Sequence, residues 1–147
     1  MHAEDIVEEF PVVSVDSSAL DAAHTMAEHR LPGIVVTDSS GLPYAVLPAS
    51  QVVRFIVPSY VQDDPSLAGV LNESVADHAA DKLGNKTVRQ VLPEHLTDVP
   101  PAKADDTIIE VAALMAANRT PLIAVMKDGK LHGVITASRL LEAALRH

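Results

Sequence analysis

The sequence predicts an α/β fold built from two β-α-β-β-α units that pack together about a pseudo-two-fold axis. The first observation is an internal repeat, in which segments 20–26 and 31–36 recur as 109–115 and 121–125. The second is the register of the repeat, since one offset carries Met26 to Met115 and Pro32 to Pro121. The third is size: each copy is too short to bury its own apolar face, so the two are expected to cover one another.

The first unit begins with a short helical segment within residues 1–10, which Pro11 ends, and continues with a strand at Val12–Val15. Asp16-Ser-Ser18 supplies N-cap chemistry for a helix over 19–29, whose apolar residues form a wide stripe. Two strand-like runs, 34–37 and 44–47, flank a Gly-containing turn and predict a hairpin. After Pro48 a second helix extends to about Val57.

The second unit repeats this order. Thr87–Leu92 is expected to be a short helix, and Asp105-Asp106 is expected to cap a helix over Thr107–Asn118. Strands Leu122–Met126 and Leu131–Ile135 are predicted to pair across the Lys127–Lys130 turn. Thr136 then precedes a closing helix that extends to Leu145.

Residues 58–86 lie between the units. Segments 66–71 and 75–83 have helical patterns, punctuated by proline and glycine, which predicts a helical connector and not a third domain. The predicted organisation is therefore a first repeat at 1–57, a connector at 58–86 and a second repeat at 87–147.

The composition and net charge of the chain limit which partners and which cellular location are expected. The 147 residues are 48% hydrophobic and 21% charged, which is typical of one compact domain. A net charge of −9 disfavours nucleic acid and anionic membrane surfaces as partners. The chain has no cysteine, lacks the blocks of a signal peptide and has no run long enough to cross a bilayer, so a cytoplasmic location is expected.

No constellation of residues predicts catalysis or a metal. The seven histidines are scattered, without the helical pair and third carboxylate that a zinc site needs. Neither a strained nucleophile turn nor paired carboxylates in a cleft can be argued from the sequence. We therefore expect that the protein is not an enzyme.

Each unit resembles the CBS domain, named after cystathionine β-synthase, and a tandem pair resembles a Bateman module. The resemblance is carried most closely by three segments of the second unit: 87–92, 106–112 and 133–140, the last reading Gly-Val-Ile-Thr-Ala-Ser-Arg-Leu. It implies a regulatory fold without catalytic residues, commonly assembled as a dimer. It also implies clefts between the repeats that hold AMP, ADP, ATP or S-adenosylmethionine.

In the family, a Thr/Ser-x-x-Asp motif opens the last helix of each repeat, and its Asp accepts hydrogen bonds from ribose. Here the second copy reads Thr136-Ala-Ser138-Arg139, with a guanidinium that has no acceptor. The first copy reads Pro48-Ala-Ser50-Gln51, which loses the first hydroxyl but keeps an amide oxygen that accepts a weaker bond. Arg139 can instead pair with a phosphate or carboxylate.

Other candidate ligand-binding residues follow from the resemblance. Arg30 and Arg119 precede the proline-led strand of each repeat, Pro121 begins the second such strand, and Ser14 and Lys103 occupy first-strand positions. A structural role is an alternative for several of the candidate residues. Thr136 is also a suitable N-cap, and Arg139 can be a helix residue that pairs with a nearby carboxylate. Arg30 and Arg119 are favourable at helix C-termini because of the helix dipole.

The sequence thus predicts a regulatory module that senses an adenine nucleotide or a related anionic small molecule and acts on a separate, unidentified protein. Apolar stripes on three helices are wider than one small sheet covers, which predicts a homodimer. The alternative is a ligand-free dimerisation or interaction module.

Overall fold

Two three-stranded sheets form the centre of the protein. The computed structural model describes residues 1–57, 63–70, 79–92 and 100–146. The first sheet has the order β1 (Val12–Ser14), β2 (Gly33–Thr37), β3 (Pro43–Pro48), with β1 parallel and β3 antiparallel to the central strand.

The second sheet repeats the first. It consists of β4 (Ala102–Lys103), β5 (Leu122–Lys127) and β6 (Lys130–Thr136), with β5 central and the same strand directions. Asp128 and Gly129, with φ of 53° and 76°, make the two-residue turn of its hairpin, as the Asp-Gly pair predicts. The predicted α/β fold and its duplication are confirmed.

Helices flank the sheets. In chain order they are α1 (Ala3–Ile6), α2 (Ala19–His29), α3 (Ala49–Ile56), a 3-10 helix (Pro65–Val70), α4 (Ala79–Gly84), α5 (Val88–Val91), α6 (Ile108–Asn118) and α7 (Ala137–Ala144). The connector prediction at 66–71 corresponds to the 3-10 helix through residue 70. The prediction at 75–83 is met by α4 from residue 79, and residues 71–78 lie outside the described part of the chain.

Two local predictions need correction. The helical lead ends at Ile6, because Val7 is extended and Glu8 pairs with Val134 as an antiparallel bridge. The N-cap of α6 is Thr107, whose hydroxyl accepts from the amide of Glu110 at 3.2 Å in a capping box, and not Asp105-Asp106. Asp106 instead accepts from the amide of Lys103 at 2.8 Å.

The two sheets face each other through their central strands. Val35 of β2 packs in one cluster with Leu122 and Ala124 of β5 and with Val134 of β6. Alternate residues of the same strands, such as Ile34 and Ile123, point into separate helix-covered cores. Because strand side chains alternate between faces, each sheet has helices on one side and the other repeat on the opposite side.

The leading helices are exchanged between the two cores. Ala3 and Ile6 of α1, which are 0% and 3% exposed, belong to the core of the second repeat. Val88 and Val91 of α5, at the start of the second repeat, belong to the core of the first. Each half of the chain therefore completes the core of the other half.

Candidate functional site

A cleft of about 320 Å³ lies where the second repeat meets the N-terminal segment and the first repeat. Its volume is at the lower end of the range of small-ligand sites. Three parts of the chain line it: Glu8 and Phe10, residues 29–32 from the end of α2 to the start of β2, and residues of α7 and its N-cap, namely Thr136, Ser138, Arg139 and Glu142. The cleft therefore joins the predicted motif of one repeat to the proline-led strand of the other.

Thr136 is the N-cap of α7. Its hydroxyl oxygen lies 3.2 Å from the backbone nitrogen of Arg139, from which it accepts, and 3.2 Å from the hydroxyl of Ser138. The residue is 7% exposed. The capping interpretation of Thr136 is confirmed, and the hydroxyl is already engaged by the helix that it begins.

Arg139 faces two carboxylates. Its Nε donates to the backbone oxygen of Ile6 at 3.2 Å and lies 3.9 Å from a carboxylate oxygen of Glu8. Its Nη1 donates to Glu142 at 3.4 Å. The pairing with a nearby carboxylate is thus present, and the guanidinium also ties α7 to the N-terminal segment.

Arg30 and Arg119 adopt the same unusual backbone conformation. Arg30 (φ 54°, ψ 46°) and Arg119 (φ 49°, ψ 41°) are the left-handed C-caps of α2 and α6. Glycine is the residue that most often occupies this conformation. Arg30 lines the cleft, whereas Arg119 holds the corresponding place in the other repeat.

The proline-led strands are joined to the helices that follow their hairpins. The carbonyl of Pro32 accepts from Ala49 and that of Pro121 accepts from Ala137, both at 2.9 Å. These bonds join each proline to the first residue of the helix that follows its hairpin, and they engage the backbone carbonyl of both prolines. Pro121 therefore positions Thr136 and its neighbours through its main chain.

The first-repeat motif is arranged differently from the second. Pro48 is the N-cap of α3 without a side-chain hydrogen bond, and Ser50 lies within the first turn of that helix. Gln51 donates its amide nitrogen to the carbonyl of Val91 at 3.1 Å. Its amide oxygen therefore remains as an acceptor, whereas its nitrogen helps to hold α5 on the first repeat.

Ser14 and Lys103 lie at the opposite ends of the sheets from the motif. Ser14 pairs with Thr37 and Lys103 with Met126, both near the hairpin turns. Thr136, in contrast, pairs with Leu122 at the other end of β5. Lys103 lines a different cleft of about 410 Å³, together with Glu4 and Lys127, so the structure does not bring these two residues to Arg139.

Three cleft residues with ionisable side chains were absent from the sequence-based candidates: Glu8, His29 and Glu142. Glu142 has a recognisable signal, because it follows Arg139 by three helical positions. Glu8 has none in its local pattern, since it reaches the cleft only through the docking of the N-terminal segment on the second repeat.

Neither a cluster of metal ligands nor a membrane-spanning helix is present in the part of the chain that the structure describes. Within residues 1–57, 63–70, 79–92 and 100–146, no three or more His, Asp or Glu side chains are grouped to hold a metal ion. Over the same residues, the helices are too short or too polar to span a bilayer.

Comparison with known proteins identifies the repeats. The family model for the CBS domain matches residues 3–58 and 78–146. No curated protein matches the chain in sequence. A solved CBS-domain-containing protein of unknown function from Kribbella flavida is 57% identical over 99% of both chains, with a TM-score of 0.87.

More distant structures share the fold. The CBS domain of a membrane protein from Sphaerobacter thermophilus is 23% identical, with a TM-score of 0.71, over 97% of this chain and 86% of that one. CBSX2, a CBS-pair protein of Arabidopsis thaliana solved in complex with AMP, is 18% identical, with a TM-score of 0.66, over 98% and 96% of the two chains.

Proposed function

The chain belongs to the CBS-domain family, and from this premise we propose that it is a regulatory module that senses an adenine nucleotide or a related anionic small molecule. The ligand binds in the cleft between the repeats, and the module regulates a separate protein. CBS-pair proteins are generally regulatory modules.

The cleft beside Arg139 is the observation that carries the proposal. It places two guanidinium groups, Arg30 and Arg139, and the hydroxyl of Ser138 around one concave surface between the repeats. Arginine is well suited to phosphate and carboxylate, because its planar fork can donate two parallel bonds. The complex of the distant relative CBSX2 with AMP supports an adenine nucleotide as the first ligand to test.

The chemistry of the motif favours the anionic end of such a ligand. A carboxylate that accepts from a ribose diol is replaced here by Arg139, which only donates. Binding energy must then come mainly from phosphate or carboxylate oxygens. We accordingly expect AMP, ADP and ATP to bind more tightly than adenosine.

A ligand in this position is suited to changing the arrangement of the two repeats. The cleft is lined from both repeats, so a ligand that fits one arrangement better by about 1–3 kcal/mol shifts the population toward it. The partner protein, which is unidentified, would read the resulting change on the outer surface.

The module is further proposed to act as a homodimer. Three large apolar side chains are solvent-exposed on or beside α6 and α7, which pack on each other: Ile109 (76%), Leu141 (57%) and Leu145 (78%). Light scattering of the native protein and of Ile109→Glu/Leu141→Glu tests this, with Leu42→Glu in the hairpin turn as control. Dimers that persist in the double variant would refute this surface as the interface.

A second candidate function is a ligand-free interaction module. The specific observation in its favour is that Thr136 and Arg139 are already engaged by groups of the protein itself. In this alternative the cleft only holds the two repeats and the N-terminal segment together, and the exposed apolar side chains carry the function.

The cytoplasmic location stays a prediction from the sequence.

A thermal-unfolding screen with AMP, ADP, ATP and S-adenosylmethionine separates the two candidates. A ligand at about 100 times its dissociation constant stabilises the native state by about 2.7 kcal/mol. We expect stabilisation by at least one phosphate-bearing nucleotide and its loss in Arg139→Gln, with GMP as a test of the base. If calorimetry up to millimolar concentration finds no binding of any of the four ligands, the sensor function is wrong and the interaction module is favoured.

A further inference from the structure

The guanidinium of Arg139 is contacted from two directions by carboxylates and a backbone carbonyl. Glu142 comes from the same helix, whereas Glu8 and the carbonyl of Ile6 come from the N-terminal segment. The side chain of Arg139 is 28% exposed, so solvent reaches it through the cleft. Within the described residues, its Nη2 has no hydrogen-bond acceptor, which leaves donors for a ligand.

Charge in the cleft is balanced by the protein itself. The two arginines that line it are matched by two carboxylates, Glu8 and Glu142, on a chain whose net charge is −9. An anion entering the cleft is attracted by Arg139 and repelled by the carboxylates already beside it. Its affinity therefore depends on whether a carboxylate can leave.

Glu8 is the carboxylate that can leave without disturbing the fold. Its backbone is fixed by two hydrogen bonds with Val134, at 2.9 and 2.8 Å, so the segment stays in place when the side chain moves. The Glu8 side chain is 45% exposed and lies 3.9 Å from Nε of Arg139. Glu142, in contrast, also accepts a hydrogen bond from the guanidinium of Arg146, just beyond the end of α7.

We propose that Glu8 is a tethered competitor for anionic ligands at Arg139 and determines the affinity of the cleft. The proposal rests on the proposed function and names its ligand class: a small molecule whose phosphate or carboxylate group takes the place of the Glu8 carboxylate. Displacement frees a charged side chain on the segment that joins α1 to the first strand. The N-terminal segment thereby responds to occupancy of the cleft.

Calorimetric titrations with AMP, adenosine and inorganic phosphate test the proposal on the full chain. We expect Glu8→Gln to tighten AMP binding about three- to tenfold, the size expected when one partly exposed like charge near the ligand is removed. Adenosine binding should not change. Glu9→Gln is the matched control, since it removes the same charge from the next residue, which lies outside this cleft.

The double variant Glu8→Gln/Arg139→Gln shows whether the effect passes through Arg139. We expect it to bind AMP no more tightly than Arg139→Gln alone. A second measurement follows the Nε–H resonance of Arg139 by NMR, which should shift on addition of phosphate, and at lower phosphate concentration in Glu8→Gln. This readout does not depend on recognition of the base.

The possible failures are distinguishable. If AMP binds the native protein but Glu8→Gln behaves like Glu9→Gln, the competitor role is wrong and the sensor function stands. If a gain in Glu8→Gln persists in the double variant, the carboxylate acts by general repulsion and the competition for Arg139 is refuted. If neither AMP nor phosphate binds any variant, both the sensor function and the competitor role fail.

Discussion

Gly133 lies directly against the backbone of Glu8. A Cβ atom at Gly133 would stand 2.7 Å from the carbonyl oxygen of Glu8 and 2.6 Å from Cγ2 of Val7, distances that real side chains do not adopt. The same carbonyl accepts from the amide of Val134 at 2.8 Å. A residue without a side chain is therefore what allows the N-terminal segment to pair with β6.

We expect Gly133→Ala to lower the free energy of unfolding by about 2 kcal/mol, because the added methyl group overpacks the contact. Urea denaturation measures the loss, and hydrogen exchange should show faster exchange of the Glu8 amide. Gly84→Ala is the control, since nothing lies within 4 Å of a Cβ built there. Equal stability of the two variants would be incompatible with the close approach.

A missing cap on α3 provides a second prediction. Pro48 occupies the N-cap with extended backbone (φ −70°, ψ 145°) but supplies no hydrogen bond, whereas Thr136 caps the equivalent helix. Pro48→Thr should be more stable than Pro48→Ala by about 1 kcal/mol, since both lose the ring and only threonine caps. Chemical denaturation of the pair measures the difference, and identical midpoints would argue against the geometry of the cap.

The left-handed backbone conformation of Arg119, an exposed residue, predicts how substitutions at this position rank in stability. Glycine adopts φ near 49° without steric cost, whereas a β-branched residue does not. We expect Arg119→Gly to be at least as stable as the native protein and Arg119→Val to be less stable than Arg119→Gly by about 1–3 kcal/mol. Thermal unfolding of the three proteins gives the order, and the same order is expected at Arg30.

Protonation of Asp38 should contribute to the loss of folding stability at low pH. Its carboxylate accepts from the hydroxyl and amide of Ser40 and from the amide of Leu42, and these bonds hold its pKa below the usual value of 3.8. A lowered folded-state pKa contributes stability that is present above the unfolded value and is lost as pH falls through the folded value.

The native protein should therefore lose stability more steeply below about pH 4 than Asp38→Asn, whose side chain keeps an acceptor and does not titrate. Denaturation at a series of pH values down to 2 compares the two slopes. Asp81→Asn, on α4 and away from this turn, is the control. If the unfolding free energies of the native protein and Asp38→Asn fell with the same slope below pH 4, protonation of Asp38 would not be coupled to folding.

Local patterns were sufficient to predict most of the fold. Apolar periodicity and the turn residues locate α2, α6 and both hairpins, and the constant spacing of Met26 and Met115 reveals the duplication. The predicted position of the N-cap of α6 is wrong because Asp105, Asp106 and Thr107 are all residue types that cap helices well. The choice of Thr107 depends on its reciprocal bonds with Glu110.

The lining of the candidate cleft can be predicted only in part, because it depends on long-range packing. Thr136, Arg139 and Arg30 meet in one cleft, but Ser14 and Lys103 lie at the far ends of their sheets. First-strand positions cannot be assigned to an end of the sheet without the register of the parallel pair. Glu8 cannot be predicted as a cleft residue from the sequence, because no local pattern indicates that α1 docks on the second repeat.

The exchange of leading helices between the two cores gives the last prediction. Ile6 is 3% exposed in the core of the second repeat, whereas Val53 is 56% exposed on α3 and lies outside the proposed dimer surface. Ile6→Ala should lower the free energy of unfolding by about 2–4 kcal/mol, because it removes buried methyl groups and leaves a cavity, while Val53→Ala should stay within about 0.5 kcal/mol. Hydrogen exchange should further show that Ile6→Ala weakens protection of β5 and β6 before that of β2, because Ile6 packs on the second core. A cost below about 0.5 kcal/mol for Ile6→Ala, or a loss of protection centred on the first sheet, would mean that α1 does not complete the core of the second repeat.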